Sequence, residues 1–324
     1  MSYSTGSATD RDDLLVKLMN FAVLNGWTVN RHDSEGAGVR VNLQKTGNTG
    51  TLFANLRSMS NEDPVPSSSV ILGLPVTTGV VLSMSDSYDA AKSVTNQPGA
   101  PVSSQDAGNY YGTRIATISG SVPIYWMFGF ANPEMIACVI QLPSGEFQHL
   151  LFGEILKTDL FTGGAFMYGS CGMADPYPGS GYRRLPFEFS VAHNAQGVGT
   201  SWLRANLDGR NGWWTEDTDY LLRGGSSTNV YPAGWLAGAN FPDDCLIQNS
   251  VNAFNNLTCL IPVHLYARLT SGLFQPVGYL PHLRTCKATN FVPGETYSLG
   301  SDNWKVFPSK TQADGYGIAY RYAP

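Results

Sequence analysis

The sequence predicts an α+β fold that is mostly β: a small N-terminal helix-plus-hairpin unit followed by a large antiparallel β-rich body with long irregular loops. Three observations carry that expectation. A convincing helical repeat of apolar residues occurs over residues 9–26, near the N-terminus. Between Ile124 and Leu156, apolar runs alternate with short connections carrying Pro, Asn or Gly, the pattern of a hairpin meander. The 324 residues are 43% hydrophobic, 12% aromatic and only 14% charged. That charge content is well below the roughly 25% of an average soluble domain. A surface so poor in charge and rich in Gly and aromatics suits a chain largely covered by other protein.

The elements follow in order. Asp10 can cap the helix, and Asp12 and Asp13 sit where the positive end of the helix dipole favours carboxylates. Leu14, Leu18, Phe21 and Ala22 mark its apolar face, and Asn25-Gly26 supplies a stop. A short strand, Trp27-Thr28-Val29, leads to a turn at Ser34-Glu35-Gly36. A hairpin is expected from Val39–Leu43 and Thr51–Leu56, joined through Gly47, Asn48 and Gly50. These pieces form a small α+β unit over 1–60. Residues 61–114 form a loop-rich connecting segment, with short apolar runs at Val70–Leu72 and Gly79–Leu82 and a loop at Thr95–Pro101. The β-rich body spans 115–324, and its clearest strands are Ile124–Phe130, Met135–Leu142 and Phe147–Leu156. Further strands are expected at Ala165–Tyr168, Phe187–Ala192, Tyr220–Leu222, Cys259–Leu269, Phe274–Leu280, Trp304–Phe307 and Gly317–Tyr322.

His149 invites a catalytic reading, which periodicity weakens. Phe147, His149 and Leu151 share one strand face, and Gln148, Leu150 and Phe152 share the other. No carboxylate or second histidine lies two residues away, and Glu154 falls on the opposite face. The expectation is a packed histidine, in the core or at an interface.

Other chemistry finds little support. There is no GxxxxGK[ST], no GxGxxG opening a helix and no HExxH. The five histidines, 32, 149, 193, 264 and 282, are never within five residues of each other, so no local zinc motif exists. Five cysteines, 138, 171, 245, 259 and 286, are odd in number and lack a CxxC, which argues for buried free thiols. Gly179-Ser180-Gly181 has no strand–helix context for a nucleophile elbow. Asp243-Asp244 and the acidic run at 216–219 do not follow a calcium-loop pattern and read as solvated turns. The net charge of −5, with Arg183-Arg184 as the only basic doublet, gives no nucleic-acid groove. No apolar run reaches the ~20 residues of a membrane span. The segment MSYSTGSATDRDD lacks the basic and apolar regions of a signal peptide. A cytoplasmic setting is therefore expected, unless the chain leaves inside something larger. No cofactor or metal is expected.

Trp213-Trp214, beside Asp208, Arg210 and Asn211, is the candidate interaction loop. Two readings stay open there. Paired indoles flanked by amides and carboxylates suit stacking on sugar rings, and they equally suit anchoring an irregular loop or burial against a partner subunit.

Several motifs carry a family resemblance. A helix and "NGW" (Asn25-Gly26-Trp27) lead into "FQHLLFG" (Phe147–Gly153) and a "TGG" turn (Thr162-Gly163-Gly164). Near the other end stand "PVGYLPHLRTC", "PGETYSLGSDNWKVFP" and "GIAYRYAP". In this order the chain resembles structural proteins of tailed bacteriophages. The resemblance implies a non-enzymatic virion component, in tail or baseplate, that is assembled in the host cytoplasm. It also implies packing against copies of itself and neighbouring virion proteins, and it brings no catalytic residues. A receptor- or glycan-binding adhesin module of the virion using the Trp213-Trp214 loop is the alternative, and a cell-wall hydrolase a third.

Overall fold

The computed structural model describes residues 1–62, 77–101, 114–158, 166–171, 201–207, 210–214, 229–232, 259–268, 274–312 and 316–323. Within them lie one α-helix and three antiparallel sheets.

Helix α1 (Arg11–Leu24) begins as the sequence predicts: the Asp10 side chain accepts from the Asp13 backbone N–H at 2.9 Å. Asp13 reaches back to the Thr9 N–H and pairs with Lys17 at 2.7 Å. Leu14, Leu15, Leu18, Met19, Phe21 and Ala22 are buried along one face, and Asn25 closes the last turn through the Phe21 carbonyl.

The central sheet contains β1 (Ser2–Ala8), β7 (Val122–Phe130), β8 (Met135–Gln141), β9 (Phe147–Glu154), β11 (Phe166–Cys171), β12 (Ser201–Leu207) and β13 (Arg210–Trp214), in that spatial order. The expected meander is present, and β9 stands fourth of the seven. Its second turn uses Gly145 at φ 83°, a left-handed conformation that glycine adopts without strain. The flanking chain closes through Leu142 N–H to the Glu146 carbonyl at 2.8 Å.

A second sheet contains β2 (Thr28–Glu35), β3 (Gly38–Thr46), β4 (Thr51–Glu62), β5 (Thr77–Ser85) and β6 (Arg114–Thr117). A third contains β14 (Asn229–Pro232), β15 (Ile261–Arg268), β16 (Phe274–Lys287), β19 (Tyr316–Tyr322), β18 (Asp302–Pro308) and β17 (Thr296–Leu299), with β10 (Leu156–Lys157) added along β16.

The central sheet is buried on both faces. Met127, Ile136, Cys138, Leu150 and Phe152 pack toward α1 and the second sheet, with Leu18, Leu43 and Leu56. Phe128, Val139, Leu151 and Met167 pack toward the third sheet, with Leu265, Phe307, Ile318 and Tyr320. Each fully covered large apolar side chain contributes about 1.5–3 kcal/mol, so the central strands are the natural seat of stability.

Several elements differ from the sequence expectation. Ser2–Ala8 is a strand paired with β7, its one strand partner among the described residues, although its Ser/Thr/Gly composition shows no apolar alternation. The expected short strand at residues 27–29 becomes β2, which runs on to Glu35. The boundary expected near 60 falls inside β4, and Gly79–Leu82 of the expected connecting segment pairs with β4 along β5. Bonding between strands distant in sequence supplies what local composition lacks there. Phe187–Ala192, Tyr220–Leu222 and the Thr162-Gly163-Gly164 turn lie outside the described residues.

Candidate functional site

The central strand β9 holds His149 and Glu154, on opposite faces as alternation requires. His149 is fully buried. Its Nε2 lies 2.8 Å from the Pro308 carbonyl and its Nδ1 2.8 Å from the Tyr320 hydroxyl. A carbonyl only accepts, so Nε2 carries the proton and Nδ1 accepts from Tyr320 O–H. Burial pushes this imidazole down to about 4, with the Pro308 carbonyl opposing the shift. A neutral imidazole with both nitrogens engaged fastens the central sheet to the third sheet.

Glu154 fastens the other side. Its carboxylate, fully buried, accepts from the backbone N–H groups of Asn48 (3.0 Å) and Thr49 (2.7 Å) and from the Thr49 hydroxyl (2.8 Å). These donors belong to the β3–β4 connection. Gly47 is required by the close approach: a Cβ there would collide with the Glu154 carboxyl group.

The Trp213-Trp214 segment is strand β13, paired with β12 so that Trp213 faces Arg204 and Trp214 faces Leu203 along the backbone. The Trp213 indole N–H donates to the Gly99 carbonyl at 2.6 Å, and its ring meets Phe166 and Tyr168 edge-on, each at 5.4 Å. Arg204 grips both Asp86 oxygens at 2.8 and 2.9 Å and donates to Asn211 Oδ1 at 2.7 Å. Trp213 and Asn211 thus work with Arg204 and Asp86 to clamp the 86–101 segment. Asp208 lies outside the described residues. Nothing in the sequence links Arg204 to Asp86, which are 118 positions apart.

The clamped segment covers the outer face of the second sheet. Val94 packs on Met59 and Val81, and Arg40 donates to the Lys92 carbonyl at 2.6 Å. Beneath it a polar chain crosses the sheet: Arg40 to Asn42 (2.8 Å), Asn42 to Asn55 (2.7 Å), Asn55 to Ser85 (3.0 Å). Buried polar groups are tolerable when satisfied in this way.

No family model matches this chain, and no curated protein matches it. Several of the motifs quoted above meet in space. Trp27 of "NGW" packs edge-on against Phe152 of "FQHLLFG" at 5.2 Å, and His149 of that strand bonds Pro308 and Tyr320 of the C-terminal motifs.

Elsewhere, His282 stacks flat on Phe130 at 4.6 Å. It is held at about 4, by burial first and the Arg321 charge second. Cys138 and Cys286 are buried thiols, whereas Cys259 is exposed, contrary to the expectation of burial for all. Among the described residues no group of three His, Cys, Asp or Glu side chains converges, and no helix is long and apolar enough to cross a membrane. Ser180, His193, Asp243, Asp244 and the acidic run at 216–219 lie outside the described residues.

Proposed function

We propose that this chain is a non-enzymatic structural component of a tailed-phage virion, in the tail or baseplate, acting by packing against copies of itself and neighbouring virion proteins. The observation that carries this reading is the use of the buried polar groups of the central sheet. His149 binds one neighbouring layer and Glu154 the other, and both side chains are buried. Polar side chains spent in this way stiffen a scaffold.

One further feature supports it. Several of the short motifs that resemble phage structural proteins meet at contacts between layers, Trp27 on Phe152 and His149 on Pro308 and Tyr320. The glycan reading draws no comparable support, because the Trp213 indole N–H and ring are engaged within the chain.

Purified particles from an infected host provide the test. The chain should appear among their proteins at a stoichiometry set by particle symmetry, and deleting its reading frame should stop assembly. Normal particles that lack the chain would overturn the proposal.

A further inference from the structure

The second sheet ends on β2, whose strand partner among the described residues is β3 alone. His32, Asp33 and Ser34 are exposed along that edge. Arg31 and Asp33, two residues apart, lie on the same face, and Arg31 Nε donates to Asp33 Oδ2 at 2.7 Å. That face is the outer one. Across β3 their register partners are Asn42 and Arg40, members of the buried polar chain. Arg31 Nη1 also donates to the Ala90 carbonyl at 3.1 Å, which anchors the guanidinium beside the clamped segment. The sequence Arg31-His32-Asp33 therefore presents one positive and one negative charge placed symmetrically about a histidine.

We propose that β2 pairs antiparallel with β2 of a second copy about a twofold axis through His32, joining two five-stranded sheets into one continuous sheet. This inference rests on the assembly reading above and names one of its contacts. An edge strand offers a row of unpaired N–H and C=O groups, and strand addition satisfies them. A twofold contact requires a self-complementary patch, and the charges provide it. With the axis at His32, Arg31 lies opposite Asp33 of the second copy, and Asp33 opposite its Arg31. Four charges then alternate in sign on one face, each carboxylate with acceptor capacity for both guanidinium groups.

The same charges select the register. Moving the axis to Asp33 sets two aspartates face to face, while the Glu35 then brought opposite Arg31 is already paired with Arg40 and Arg57 of its own chain; moving it to Arg31 sets two arginines face to face. Like charges directly opposite are destabilising. The bulge between Val29 and Arg31 limits the contact to a short segment. Such a contact is weak in a free pair and gains strength where other contacts hold the copies together.

Sedimentation equilibrium of the full chain and two charge-reversal variants tests the proposal. The wild type should show concentration-dependent dimerisation, and Arg31→Asp and Asp33→Arg should each weaken it by about tenfold or more. Mixing the two variants in equal amounts should restore dimerisation, because every facing pair is again of opposite sign. The double variant Arg31→Asp/Asp33→Arg should restore it within a single species. That rescue also excludes misfolding as the cause of the single-variant defects. A wild type that stays monomeric up to its solubility limit overturns the proposal, as does association indifferent to the single reversals. The assembly reading stands or falls separately, on whether the chain is found in particles.

Discussion

The carboxylate of Glu154 accepts a hydrogen bond from the backbone N–H of Thr49 at 2.7 Å, although the two residues are 105 positions apart. One side chain of the central strand thereby fixes the β3–β4 connection of a different sheet. Hydrogen bonds to a charged acceptor contribute about 1.5–3 kcal/mol, and a buried donor left unpaired costs a comparable amount. Glu154→Gln should therefore lower stability by about 1.5–3 kcal/mol, read as a shift in the urea midpoint at unchanged slope.

Gly47 supplies a companion test. Gly47→Ala places a methyl group where the Glu154 carboxyl group now stands, and overpacking of this kind costs about 1–3 kcal/mol. In a Glu154→Ala background the obstructing atoms are gone, so the same change should become nearly neutral. Simple addition of the two effects would show that Gly47 is needed for another reason.

His149 predicts a pH dependence with a definite sign. Its folded value of about 4 lies below the ordinary 6.5, so the unfolded chain binds the proton more readily. The contribution to stability is complete above about 6.5 and is lost as pH falls through about 4. At about 1.4 kcal/mol per pH unit the full effect is ~3 kcal/mol. His282 shifts in the same direction and adds to it. Urea midpoints measured across this range should fall with acidification, and more gently in His149→Gln. Tyr320→Phe, which strips the donor from Nδ1, should cost about 1–3 kcal/mol at neutral pH.

The clamp made by Trp213 and Arg204 should govern the 86–101 segment more than global stability. Trp213→Phe keeps an aromatic ring but loses the bond to Gly99. That loss is about 1 kcal/mol, or about fivefold in the opening equilibrium of the segment. Hydrogen exchange at residues 87–100 should rise accordingly, and Arg204→Ala should act in the same direction. Unchanged exchange in both variants would show that the segment is held by its contacts to the second sheet alone.

The thiols should divide by burial. Desolvation pushes Cys138 up to about 12 and raises Cys286 also, so neither forms the reactive thiolate near neutrality. Alkylation followed by peptide mapping should label Cys259 in the native protein, and Cys138 and Cys286 only after unfolding.

Where a signal is local, the sequence alone was sufficient. The Asp10 cap, the apolar face of α1, the two Pro/Asn/Gly turns and the strands on either side are set by backbone preference and short-range hydrogen bonds. Alternation also separated His149 from Glu154, because a strand allows no other arrangement. Tertiary structure alone decided where those two faces lead, since His149 reaches Pro308 and Tyr320 while Glu154 reaches Thr49. It likewise decided that Ser2–Ala8 and Thr77–Ser85 are strands, and that Trp213 clamps residues 86–101 in place of standing free. These outcomes depend on partners far away along the chain, and no local pattern encodes a partner that only folding brings near.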